Sequence, residues 1–195
     1  MDRWLGKNVC VMGLGRSGKA TINLLLQRGA RVFAFDDSDT SLPKSEISSY
    51  EHRGVTFIFD SSIEQSLKNL DFNLVVVSPG IAFDHPLVKR LDARGVPIWS
   101  ELELGWSEMK CPSIAVTGTN GKTTTVEWID TMLSGSGLQT VAVGNIGLPL
   151  SEVAKEPKTQ GLDAVVLEVS SFQLERIDKF KPDVAVMLNL AEDHL

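Results

Sequence analysis

The residues best placed to do chemistry lie between Ser113 and Thr125, where the apolar run Ile114-Ala115-Val116 leads into Gly118-Thr119-Asn120-Gly121-Lys122-Thr123-Thr124. Val126, Trp128, Ile129, Met132 and Leu133 then recur at helical spacing. Strand, tight glycine loop and helix, in that order, turn a Gly-Lys-Thr string into a phosphate-binding loop. Glycines let backbone N–H groups converge on one anion, and the helix N-terminus adds its positive dipole end. Lys122 can reach terminal phosphates, and the Thr123 hydroxyl can ligate Mg²⁺. The loop departs from the usual G-x-x-x-x-G-K-[ST] pattern: Val116 stands where the first glycine should be, and Gly118 supplies the turn instead.

Glu168 is the second informative residue. It interrupts the apolar run Ala164 to Val169, which reads as a central parallel strand. A bare carboxylate buried there costs several kcal/mol unless it is paired or bound to metal. A strand end beside a phosphate loop is where a Mg²⁺ carboxylate belongs; an ion pair with a lysine at the core edge is the alternative.

A further glycine cluster lies near the N-terminus. Asn8-Val9-Cys10-Val11-Met12 reads as a buried parallel strand, followed at once by Gly13-Leu14-Gly15-Arg16-Ser17-Gly18. A helix is expected from about Lys19 to Arg28, then a strand from Arg31 to Phe35 ending at Asp36-Asp37. This is a βαβ unit with full G-x-G-x-x-G spacing and an acid at the end of its second strand. A nucleotide-type ligand is the first reading and a bare packing turn the alternative.

These stretches need elements to hold them. Val55 to Ile58 and Leu74 to Val77 read as further strands, the latter entering Ser78-Pro79-Gly80. Such a loop opens at the carboxyl edge, where ligands of open α/β sheets bind, which marks Ser78 and Gly80. A helix starts near Asp84-His85-Pro86, and Val96 to Trp99 is a short edge strand. Ser100-Glu101-Leu102-Glu103 has capping-box spacing, so a domain boundary is placed near Ser100. Strands are expected at Thr140–Val143, Ala164–Leu167 and Val184–Leu190, and a second glycine loop at Gly144 to Pro149. His52 and His85 are expected on the surface. The fold class is α/β: a Rossmann-like domain over residues 1–99, then part of a P-loop-type parallel-sheet domain over residues 100–195.

Composition narrows the classes. The chain has 195 residues, 43% of them hydrophobic, which is the make-up of a globular protein with a real core. The longest apolar runs, such as Leu74-Val75-Val76-Val77, are far too short to span a bilayer. A net charge of −6 argues against a nucleic-acid partner. Two cysteines, Cys10 and Cys111, make no disulfide framework, and a reducing cytoplasm is the simplest reading.

With these pieces placed, the sequence resembles the Mur ligase family along its whole length. The resemblance is carried by Gly13 to Gly18, Ser78-Pro79-Gly80-Ile81, Gly118 to Thr123, Gly144 to Pro149, Ser170-Ser171-Phe172-Gln173-Leu174-Glu175 and Glu192-Asp193-His194. The Rossmann-type first unit and the Ser-Ser-Phe-Gln string point to the branch that adds D-glutamate.

The resemblance implies a chemistry: ATP phosphorylates the terminal carboxylate of UDP-MurNAc-L-alanine, a peptidoglycan precursor, and the amine of D-glutamate attacks the acyl phosphate. It implies ATP bound by Gly118, Thr119, Asn120, Gly121, Lys122, Thr123 and Thr124, with Mg²⁺ on Thr123 and Glu168 and a second ion on His194. Lys122, Glu168 and His194 would be the catalytic groups. Gly15, Arg16 and Ser17 would hold the UDP diphosphate and Asp36 the uracil. Asn145 would contact the sugar or acyl part of the substrate and Gln173 the region beside it, with Ser170 also substrate-binding. Some relatives carry an arginine just beyond the acid; here Asp37 and Ser38 follow.

Family members are more than twice this long, so residues 1–195 read as an N-terminal portion, inactive alone and without a D-glutamate site. Two other classes stay open: an NAD-dependent oxidoreductase, from Gly13, Gly15, Gly18 and Asp36, and a non-catalytic nucleotide-binding module.

Overall fold

The structure is a computed structural model that describes residues 3–37, 41–59, 70–82, 84–145, 147–156 and 161–191. It divides into two compact units, Met1–Glu101 and Leu102–Leu195.

The first unit runs β1 (Asn8–Met12), α1 (Arg16–Gln27), β2 (Arg31–Asp36), α2 (Lys44–His52), β3 (Thr56–Phe59), β4 (Leu74–Val77), α3 (Pro86–Ala93) and β5 (Ile98–Ser100). Its five strands lie in the order β3-β2-β1-β4-β5, all parallel. Central β1 and β4 are apolar on both faces because helices cover both sides of a parallel sheet. Cys10 is one of these core side chains, and burial pushes its thiol up to about 12, so it stays a neutral hydrophobe. Chain order reverses on either side of β1, and at such a switch point the strands' carboxyl ends open a crevice. Helix α1 starts at Arg16, three residues before the expected Lys19, because Gly15 in extended conformation already serves as its N-cap.

His85 is not the solvated surface residue expected. Its Nδ1 accepts from the Leu87 N–H at 3.2 Å and caps α3, ahead of Pro86 at the first helical position. Its Nε2 lies 3.0 Å from Asp37 Oδ1, and its ring meets Phe35 edge-on, with centroids 5.8 Å apart. The tautomer with the proton on Nε2 satisfies both hydrogen bonds at once. His52 is exposed, as expected.

The second unit holds most of α4 (Glu101–Glu108), then β6 (Ser113–Thr117), α5 (Lys122–Gly135), β7 (Thr140–Gly144), α6 (Leu150–Lys155), β8 (Ala164–Glu168), α7 (Ser171–Leu174) and β9 (Val184–Met187). Its strands are parallel in the order β7-β8-β6-β9. All five residues of β8 are buried, whereas β9 at the edge is mostly exposed. Leu102, Val143, Leu150, Val165 and Leu167 form one core cluster, and Val116, Val126 and Val166 another.

Val126, Ile129 and Leu133 turn α5 toward the sheet at i, i+3, i+7 spacing. Trp128 and Met132, which the periodicity placed on the same face, are 68% and 66% exposed. At about 100° per residue, Trp128 lies about 200° and Met132 about 240° around the helix from Val126, outside the stripe.

Glu103 is fully buried in α4, and its carboxylate accepts N–H bonds from Asp178, Lys179 and Phe180 at 2.9 to 3.2 Å. It thereby ties down the loop joining α7 to β9.

Candidate active site

In the first unit the three glycines divide the work. Gly13 sits at φ +87°, and a Cβ there would meet Ile81 and Ser78 at 3.0 Å. A Cβ on Gly18 would collide with the Gly13 carbonyl. Both are fixed by the tight passage from β1 into α1. Gly15 has nothing within 4 Å of a Cβ, so its missing side chain leaves open space at the helix N-terminus. Exposed Arg16 and half-buried Ser17 follow it in the first turn, which carries no acid. The arrangement suits an anion approaching backbone N–H groups.

Asp36 Oδ2 accepts from the Leu14 N–H at 2.9 Å, so the acid at the end of β2 holds the glycine turn itself. Ser78 is buried, and its hydroxyl donates to the Gly13 carbonyl at 3.0 Å from the other side. Gly80 is exposed at the same carboxyl edge. Ser38 lies outside the described residues.

In the second unit the phosphate loop spans Gly118 (φ +145°) to Gly121 (φ +86°), and Gly121 is the left-handed N-cap of α5. The Lys122 ammonium folds back over the loop and donates to the Gly118 and Thr119 carbonyls at 2.7 and 3.0 Å. Thr124 lies exposed in the first helical turn. The Thr123 hydroxyl donates to Glu168 Oε2 at 2.7 Å, and Asn145 Nδ2 donates to Glu168 Oε1 at 3.0 Å.

Glu168 is 2% exposed, and both oxygens are held by neutral donors rather than by the lysine partner considered from sequence. β-strand register delivers this grouping: Glu168 lies opposite Val116 of β6 and Gly144 of β7. Gly144 is obligatory, because its φ is +121° and a Cβ would run into the Glu168 carbonyl. The Asn145 N–H bonds that same carbonyl at 2.9 Å.

A cleft of about 640 Å³ opens beside the loop. Thr117, Lys122, Asn145, Ser170, Phe172 and Met187 are among its lining residues. Gln173 stands behind it, buried, in a capping box with Ser170: Gln173 Oε1 accepts from the Ser170 N–H at 2.9 Å, and Ser170 Oγ accepts from the Gln173 N–H at 3.3 Å. Ser170 thus faces the cleft, and Gln173 shapes the turn that presents it. His194 lies outside the described residues.

The sequence reading passed over Asn189, which lies against the phosphate loop and also lines the cleft. A signal was available, since Asn189 interrupts the apolar run Val184 to Leu190 much as Glu168 interrupts its own.

The description "Mur ligase MurD-like, N-terminal domain" matches residues 7–100, and "Mur ligase middle domain" matches residues 116–195. The UDP-N-acetylmuramoylalanine–D-glutamate ligase of Syntrophus aciditrophicus is 41% identical over 192 residues, covering 97% of this chain and 41% of the relative. Its namesake from Shouchella clausii is 40% identical over 192 residues, covering 98% and 41%.

The chain belongs to the Mur ligase family.

The chain spans about two-fifths of the length of the curated relatives it matches. A solved Mur ligase, the UDP-N-acetylmuramate:L-alanyl-gamma-D-glutamyl-meso-diaminopimelate ligase from Neisseria meningitides, superposes with a TM-score of 0.56. It covers 97% of this chain and 62% of its own at 19% identity, a likeness of fold. No helix among the described residues is long and apolar enough to cross a membrane.

Proposed function

We propose that this Mur ligase chain carries the UDP-sugar site and part of the ATP site of an amide ligase joining D-glutamate to UDP-MurNAc-L-alanine in peptidoglycan precursor synthesis. The observation that carries the phosphoryl-transfer half is the Thr123–Glu168 pair, a buried carboxylate held by neutral donors beside the loop lysine. The substrate pair rests on the relatives of about 40% identity.

Thr123 and Glu168 present hard oxygen donors 2.7 Å apart, the donor chemistry that Mg²⁺ takes. Among the described residues no three His, Cys, Asp or Glu side chains gather, which suits an ion held by one carboxylate together with substrate phosphates. Bound there, Mg²⁺ would supply charge neutralisation for the transferring phosphoryl group.

The chain's own residues do the rest. The Lys122 ammonium exchanges its two loop carbonyls for terminal phosphate oxygens. The α5 N-terminus receives phosphate on backbone N–H groups that a helix leaves without internal partners. Asn145 holds the Glu168 carboxylate in place, so it orients the metal side of the site, and its position in the cleft also suits the sugar or acyl part of the substrate. In the first unit the open face at Gly15 admits the UDP diphosphate, while Asp36 and Ser78 hold the turn that presents it. Hydride transfer to a dinucleotide has no use for Lys122, Thr123 and Glu168 together.

The test is a fusion of this chain to the C-terminal remainder of the Syntrophus relative, assayed with labelled D-glutamate. Amide product dependent on both ATP and UDP-MurNAc-L-alanine is expected. A folded fusion that binds both substrates but makes no amide would refute the reading.

A further inference from the structure

The phosphate loop is clasped from outside by the chain just beyond β9. Asn189 Oδ1 accepts from the Asn120 N–H at 3.0 Å, and Asn189 Nδ2 donates to the Asn120 carbonyl at 3.0 Å. One side-chain amide thus pairs with one peptide unit as a neighbouring strand would. The Thr119 N–H reaches the Asn189 carbonyl at 3.3 Å. Thr119 Oγ1 accepts from the Ala191 N–H at 3.0 Å and donates to the Ala191 carbonyl at 3.3 Å. Gly118 lies so close to this segment that a Cβ would meet Leu188 and the Asn189 backbone at 3.2 Å.

These bonds occupy two of the loop's amides. The N–H groups of Thr119 and Asn120 are spent on the 188–191 segment. The amides left for phosphate are those of Gly121, Lys122, Thr123 and Thr124, at the open end of α5. An exposed asparagine paired on both edges with a loop peptide has no packing role comparable to that of a core residue.

We propose that Asn189 is a positioning residue of the phosphate loop: its carboxamide fixes the Asn120 peptide so that the following amides converge on the nucleotide's phosphates. The clasp also links the loop to the segment that leads, three residues after Ala191, to His194. The proposal rests on reading residues 118–124 as a nucleotide loop.

The test uses the 195-residue chain with Asn189→Ala and the isosteric Asn189→Asp, which keeps an acceptor but loses the donor. Backbone amide exchange at Thr119 and Asn120, ATP affinity with Mg²⁺, UDP-sugar affinity and thermal midpoint are read on each. Asn189→Ala should speed Asn120 exchange and weaken ATP roughly tenfold, the scale of one or two lost hydrogen bonds. UDP-sugar affinity and midpoint should not move, and Asn189→Asp, which keeps the acceptor for the Asn120 N–H but sets a carboxylate against the Asn120 carbonyl, should weaken ATP with a smaller change in Asn120 exchange. In the wild type, ATP should perturb the amides of residues 121–124 and leave those of 119 and 120 protected throughout.

Unchanged exchange at Asn120 in Asn189→Ala would overturn the clasp, whether or not ATP binds. Faster exchange with wild-type ATP affinity would overturn its service to the nucleotide. A wild-type chain that binds no ATP would instead sink the functional reading of the loop.

Discussion

Glu168→Gln is expected to abolish the Mg²⁺-dependent gain in ATP affinity while leaving the fold intact. The substitution is clean because of the two neutral donors. A glutamine Oε1 can still accept from Asn145 Nδ2, and its Nε2 can donate to the Thr123 hydroxyl that formerly donated to Glu168. Both bonds survive, and a buried charge disappears, so the stability should stay within about 1 kcal/mol of the wild type, on either side. What is lost is the charge that Mg²⁺ needs. With ATP titrated in the presence and absence of Mg²⁺, the wild type should gain roughly tenfold from the metal, about 1.4 kcal/mol, and the variant nothing. In the fused ligase the same change should cost on the order of 10²- to 10³-fold in kcat, the scale of a removed electrostatic stabiliser. A variant with wild-type Mg²⁺ dependence would show that Glu168 is a structural carboxylate and nothing more.

Gly18→Ala should unfold the first unit at temperatures where the wild type is folded. Gly18 is buried in the first turns of α1, and an added methyl would run into the Gly13 carbonyl, with Ser78 Oγ 3.2 Å away. Neither the carbonyl nor β1 can give way, because the Gly13 N–H is bonded to the Phe35 carbonyl at 2.9 Å and the Ser78 hydroxyl donates to the carbonyl of Gly13. Helix α1 must lift from the sheet instead. Overpacking of this kind costs about 3 kcal/mol or more. For a unit of this size that lowers the midpoint by roughly 10 °C or more. Hydrogen exchange should show protection lost in β1 and α1 but kept in β8. A wild-type midpoint would mean that the close approach of helix and strand is not rigid.

Much of this was legible because the informative residues break a local rule. Glycines at 13, 15 and 18 between an apolar strand and a helix have few uses, and a glutamate closing an apolar strand needs a partner. Both features led to their places in the structure. What stayed hidden depends on neighbours distant in sequence. His85 looked like surface because nothing local says that its ring will cap α3 and reach Asp37 across the first unit. Asp36 was assigned to a ligand, and nothing local says that its carboxylate also accepts from the Leu14 N–H, twenty-two residues earlier. Trp128 and Met132 were read with Val126 because large apolar residues crowd α5 on more than one side. Asn189 was missed because a neutral, exposed amide just beyond a strand carries no large burial cost to draw attention. Glu103 was read as part of a helix start, whereas its carboxylate is consumed by three backbone N–H groups some seventy-five residues later.

The central claim is that one chain holds two different phosphate sites, a sugar-nucleotide site at Gly15 and an ATP site at Lys122. Equilibrium titration of the wild-type chain and of Gly15→Val with UDP-MurNAc-L-alanine, ATP with Mg²⁺, and NADH tests it most directly. Gly15 has open space where a Cβ would stand and an ordinary backbone φ of −69°, so valine should fold there and fill only the room that a diphosphate needs. Saturable binding of the UDP-sugar and of ATP is predicted, with no binding of NADH. In Gly15→Val the UDP-sugar affinity should fall at least roughly tenfold, with that for ATP unchanged. Tight NADH binding without UDP-sugar binding, or a valine variant that holds the UDP-sugar as well as the wild type, would contradict the account.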